Sequence, residues 1–120
     1  MAAYIFMALT NAAEGQEAAY GAYLDQVHVP EVLTVPGVAA AQRYELTDEQ
    51  RMRPPPPFRF ATVYELETDD LAATLTAIRT AAKTAVKSAT GDPDSRAAWI
   101  YRPVGERRLA LPASEGSCEP

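Results

Sequence analysis

His28 is the only histidine of the chain, and it opens the stretch HVPEVLTVPG. An unperturbed imidazole has a pKa of about 6.5, so it takes and returns a proton near neutral pH without elaborate tuning. Asp25 stands three residues before it and Glu31 three after, spacings that on a helix let either carboxylate orient the ring or stabilise its cation. Tyr20, Tyr23, Tyr44 and Tyr64 offer hydroxyl donors to a carbonyl or enolate oxygen, and Arg43 offers a positive charge. Together these residues suit acid/base chemistry on a small oxygenated molecule. The same histidine has a plainer reading. At a helix C-terminus it interacts with the dipole and the last carbonyls, and His-Val-Pro-Glu then only locks the helix exit.

Other chemistries find less support. Glu14, Glu17 and Asp25 have no second histidine and no metal-ligand spacing, so no metal site is expected. Ser88, Ser95, Ser114 and Ser117 lack a nucleophile-elbow context. Cys118, the single cysteine, cannot form an intrachain disulfide, which fits a reducing compartment. No glycine-rich phosphate loop follows a strand, and haem would find only His28 as an axial imidazole, so no cofactor is expected. A net charge of −5 and a pI near 4.8 argue against nucleic-acid binding. The N-terminal apolar run has no basic residue before it and is too short to span a bilayer, so a cytoplasmic protein without a membrane partner is expected.

The positioning elements follow from hydrophobic period. YIFMALT reads as a strand over 4–10, apolar on both faces and therefore covered on both. Asn11 is available to cap or turn. Tyr20, Tyr23, Leu24 and Val27 then recur at helical spacing, and Pro30 is expected to end that helix near His28. A second strand spans 38–46, with Val38, Ala40, Gln42 and Tyr44 on one face and Ala39, Ala41, Arg43 and Glu45 on the other. A polar, proline-rich loop occupies 47–57. FRFATVYEL reads as a third strand over 58–66. Thr68 or Asp69 is placed to cap a second helix whose buried stripe is Leu71, Leu75, Ile78, Ala82 and Val86. Arg79, Lys83 and Lys87 form a basic line read as a solvated face. SATGDPDS reads as a turn, AAWIYR as a short last strand, and 104–120 as a tail without sustained period.

The order β-α-β-β-α-β is the split βαβ, ferredoxin-like α+β pattern: a four-stranded antiparallel sheet with two helices on one face. It makes residues 1–103 one domain. Phe6, Phe60, Tyr64, Trp99 and Tyr101 load the strands with aromatic surface, more than one helical layer covers. A homodimer pairing through the sheet faces would bury the remainder.

The segment AAYGAYLDQVHVPEVLTVPGVAAAQRYEL resembles the signature of dimeric α+β barrel proteins, near the EthD-like and stress-responsive barrel branches. The matching residues are Tyr23, Asp25, His28, Pro30, Glu31, Pro36, Gly37, Arg43 and Tyr44. The resemblance implies a pocket between the sheet and its own helices, with a histidine near the end of the first helix as catalytic group. Tyr20, Tyr23, Leu24, Glu31, Arg43, Tyr44, Phe60 and Tyr64 are then the expected substrate-binding residues around His28. The superfamily includes cofactor-free monooxygenases, polyketide cyclases, isomerases and aldoxime dehydratases. A cofactor-independent isomerase, cyclase or dehydratase acting on a small hydrophobic, oxygenated molecule is the leading expectation. A monooxygenase of phenols and a non-catalytic ligand-binding barrel are the alternatives, since the fold alone does not select a reaction.

Overall fold

The third strand shows best how the sequence sets the layers. FATVYELET alternates, so Phe60, Thr62, Tyr64, Leu66 and Thr68 are buried while Glu65 and Glu67 are exposed. The computed structural model describes residues 1–54 and 57–112. Its elements are β1 (Ala2–Ala12), α1 (Glu17–Tyr23), a π-helical segment (Leu24–His28), α2 (Val29–Val32), β2 (Val38–Glu45), β3 (Phe60–Thr68), α3 (Leu71–Thr84) and β4 (Gly91–Tyr101). The strands form one antiparallel sheet in the order β2-β3-β1-β4, and the fold is ferredoxin-like.

Register assigns each strand residue to a face. Tyr4, Phe6, Ala8 and Thr10 of β1 stand opposite Leu66, Tyr64, Thr62 and Phe60, on the side that carries the helices. Ile5, Met7 and Leu9 point the other way, in rows with Glu65, Val63 and Ala61 of β3 and with Tyr101, Trp99 and Ala97 of β4. On the helix side Tyr20, Leu24 and Phe60 form the core cluster, with Tyr20 edge-on to Phe60 at 5.1 Å between centroids. Leu66 is fully buried, a position worth about 1.5–3 kcal/mol for an aliphatic side chain.

The first helix departs from the expected one. Pro30 does not end it at His28. The turn over Leu24–His28 widens instead, the Val29 N–H reaching back five residues to the Leu24 carbonyl, and Pro30 sits in the first turn of α2. Proline has no N–H, and its ring crowds the carbonyl four residues back. A π turn changes which carbonyls stand in that position, and the chain stays helical to Val32. Gly37 closes the exit with φ +96, where an added Cβ would also meet Thr74 Oγ1 at 2.8 Å.

The other boundaries move for identifiable reasons. Asn11 neither caps nor turns: it lies in β1, donates to the Pro57 carbonyl and Ser95 Oγ (2.6 Å each), and accepts from the Arg59 N–H at 2.8 Å. With that N–H taken by a side chain, β3 begins at Phe60 rather than Phe58, and it runs on to Thr68 opposite Ala2. In β2 a register shift between Val38 and Ala40 reverses the alternation. Ala41 and Arg43 consequently share the helix side with Val38, while Gln42 and Tyr44 face outward. The cap of α3 is Asp70, whose Oδ1 accepts from the Ala73 N–H at 3.0 Å, instead of Thr68 or Asp69. Thr74, outside the expected stripe, is buried and donates to Thr68 Oγ1 at 2.8 Å. Ala82 is exposed, and Val86 lies beyond the helix and is exposed too. GDPDS is strand rather than turn, because β4 pairs on one side only and tolerates Pro93 at an edge. Residues 104–112 carry no regular element; 55–56 of the proline-rich loop and 113–120 of the tail lie outside the described residues.

Candidate active site

His28 ends the π turn and is half-buried beneath Tyr23, whose ring stacks on it at 6.0 Å between centroids with 23° between planes. Two pockets meet at this residue. A larger one of about 660 Å³ is bounded by Tyr20, Tyr23 and Leu24, by the connection after α3 and by the start of β4. A smaller one of about 170 Å³ lies between the sheet and the helices, against Phe6, Tyr64, Glu31, Val32 and Ile78. His28, Ala82 and Ala85 line both.

The wall near His28 is tied together through the backbone of one residue, Val86. Tyr23 donates its hydroxyl to the Val86 carbonyl at 2.6 Å, and Glu31 Oε2 accepts from the Val86 N–H at 3.2 Å. These two bonds fix the exit of α3 against the first helix. Glu31 Oε1 and the Tyr64 hydroxyl are buried with no hydrogen-bond partner, and both residues line the smaller pocket. Buried polar atoms ordinarily find a partner, so both atoms are open to one from the pocket side.

Burial pushes the His28 pKa below its usual value, the Glu31 carboxylate pulls it back up, and the Lys87 ammonium pushes it down again. The imidazole is therefore neutral at neutral pH, the state that accepts a proton. Burial raises the Tyr64 hydroxyl, with Tyr20 and Tyr23 adding to the shift, so it stays protonated and available as a donor. The Tyr23 hydroxyl is raised by burial and by Glu31.

The structure sorts the expected binding residues into three groups. Tyr20, Tyr23 and Leu24 line the larger pocket, and Glu31 and Tyr64 the smaller. Phe60 sits behind Tyr20 as core, and Arg43 holds Asp25 in a two-pronged pair, Nε to Oδ1 at 2.6 Å and Nη2 to Oδ2 at 3.1 Å. That pair draws the Asp25 carboxyl below its usual range and anchors β2 to the π segment. Asp25 is thereby engaged with Arg43. Tyr44, expected beside His28, points from the opposite face of the sheet because of the shift in β2. Lys87 joins the larger pocket with Asp92 and Arg96. Lys87 had read as the end of a solvated line; it lies past the helix end, where its ammonium caps the Ala82 carbonyl. Phe6 and Ile78 were visible in sequence only as apolar positions.

No family model matches the chain, and no curated protein matches it in sequence. Solved structures do match. A Shewanella loihica PV-4 protein named "putative monooxygenase" superposes with a TM-score of 0.57 at 14% identity, over 88% of this chain and 97% of that one. An ethyl tert-butyl ether d (EthD) family protein from Bacillus halodurans C-125 gives 0.55 at 16% identity, over 88% and 99%. A dimeric ferredoxin-like protein of unknown function from Jannaschia sp. CCS1 gives 0.55 at 10%, over 83% and 98%. This chain has their fold, the ferredoxin-like α+β fold. At these identities the likeness is one of fold.

Proposed function

We propose that the chain is a cofactor-independent enzyme that moves a proton on a small hydrophobic, oxygenated molecule, with His28 as general acid/base. The observation that carries this reading is the position of a neutral, half-buried imidazole on the wall shared by both pockets. Such a base removes a proton from an activated C–H or O–H and returns it elsewhere, the step common to isomerisation, cyclisation and dehydration. Tyr64, held protonated, donates to the oxygen on which charge develops. Tyr20, Tyr23 and Leu24 hold the rest of the molecule in the larger pocket, and the Arg43–Asp25 pair keeps the π turn in place.

The apolar outer face of the sheet supports a homodimer. Trp99 and Tyr101 are exposed there, beside the row of Ile5, Met7 and Leu9. A second copy laid on this face leaves each pocket on its own helical side.

The test of His28 is direct. In a panel of phenols, lactones and enolisable ketones, His28→Ala lowers turnover about 10²–10⁴-fold while the chain stays folded, the usual weight of general acid/base catalysis. Unchanged turnover would remove His28 from the chemistry. The monooxygenase reading is favoured by the name of the Shewanella neighbour. There His28 takes the phenolic proton and the phenolate reacts with dioxygen, so oxygen uptake accompanies substrate loss. Substrate loss without oxygen uptake assigns the proton-transfer reading instead. A single imidazole whose NMR titration ignores every compound of the panel would leave a non-catalytic binding protein.

A further inference from the structure

We infer that the smaller pocket admits a single six-membered ring bearing both a hydroxyl and a carbonyl, the hydroxyl donating to Glu31 Oε1 and the carbonyl accepting from the Tyr64 hydroxyl. The inference names the substrate class for the site proposed above and rests on that reading only for calling the ligand a substrate.

Size comes first. A cavity of about 150 Å³ holds benzene, and the smaller pocket measures about 170 Å³. That volume suits one ring with small substituents. The walls suit an arene or cyclic enone: Phe6 and Tyr64 on the sheet, Val32 and Ile78 on the helices. Any longer substituent has to pass His28 into the larger pocket, where about 660 Å³ is open to it.

The polar atoms then fix what the ring carries. Only 2% of the Tyr64 surface is exposed, its hydroxyl has no partner, and its raised pKa keeps the proton on oxygen. It therefore offers a donor that a carbonyl completes. Glu31 spends Oε2 on the Val86 N–H and leaves Oε1 buried and free. A carboxylate oxygen only accepts, so the ligand must donate to it. An entirely apolar ring would leave both atoms desolvated and unpaired, at a penalty that compounds. The acceptor and the donor sit in one pocket whose remaining lining is apolar apart from His28, so the pattern is specific.

Ligand titrations followed by NMR, at the single imidazole and the backbone amides, test this without any turnover. The probes are 3- and 4-hydroxyacetophenone, acetophenone, phenol and ethylbenzene. The better hydroxyacetophenone isomer binds the native chain on the order of tenfold more tightly than acetophenone or phenol, and ethylbenzene binds weakest. Tyr64→Phe removes the advantage over phenol and keeps that over acetophenone. Glu31→Gln does the reverse, since the amide turns a donor into the pocket once its oxygen takes the Val86 N–H. Equal binding of ethylbenzene and the hydroxyacetophenones to the native chain overturns the inference, as does no binding by any of them. The ranking is read from binding alone and the role of His28 from turnover, so a lost ranking and a dispensable His28 are separate failures.

Discussion

The two faces of the sheet are made from the same strands and are built to different standards. The helix face of β3 is buried residue after residue from Phe60 to Thr68, yet the helices do not close over it completely and the two pockets remain. The outer face is nearly as apolar and is bare: Tyr44, Trp99 and Tyr101 are all more than half exposed. One face spends its imperfect packing on a cavity with orphaned polar atoms. The other carries the exposed rings of Trp99 and Tyr101 and is the face proposed above for a second copy. An apolar side chain therefore has different surroundings on adjacent residues of one strand, core at Tyr64 and Leu66 and, at Val63, the face proposed above for a second copy.

The largest effect should come from charging the bare face. Trp99→Asp places a carboxylate at the centre of the proposed interface on both copies, and light scattering at micromolar concentration should fall from about twice 13.0 kDa to the single-chain mass. If the mass is unchanged, the outer face is not the interface and the comparison fails. On the covered face Leu66→Ala should cost about 2–5 kcal/mol in denaturant unfolding, because a fully buried leucine leaves a cavity. Asp70→Ala, which removes the cap of α3, should cost about 0.5–2 kcal/mol and leave the mass unchanged. The smallest effect is the pH dependence carried by His28. Its folded pKa lies below the unfolded value of about 6.5, so the unfolded chain binds the proton more readily. This contribution is fully present above that value and is lost as pH falls from there through the folded pKa. His28→Gln should flatten that part of the profile, as read from unfolding midpoints between about pH 7 and 5.

Much of this was legible in the residues. Strict alternation in FATVYELET, tyrosines at helical spacing and the fencing of His28 by Pro30, Pro36 and Gly37 were enough for element order and sheet layout. What could not be read is non-local. The β2 shift turns Arg43 inward and Tyr44 outward, and no periodic signal announces one extra residue among VAAAQRYE. Asn11 looks like a cap and serves instead as a three-way tie, because its partners Pro57, Arg59 and Ser95 are distant in sequence. Lys87 has the spacing of a solvated face, but spacing loses its meaning once the helix stops at Thr84. His28, Tyr23, Glu31 and Tyr64, singled out in the sequence for their chemistry, line the two pockets. The connection at Val86 carries no chemistry in its side chain. It enters through its backbone N–H and carbonyl.

The widened turn over Leu24–His28 has a consequence for chain length. A π turn holds one residue more than an α-helical path between the same ends, so this stretch behaves as a one-residue insertion absorbed without a loop. Each residue advances an α-helix by about 100°. A deletion in a regular α-helix would swing the later side chains by that angle, whereas removing Gln26 from the π turn lets it close as an α turn between the same ends, with the imidazole kept in place relative to Tyr20. In an alignment the same feature would surface as a single-position gap just ahead of the histidine. Two chains differing by that gap would share a fold, a helix and a histidine, and point that histidine at the same place.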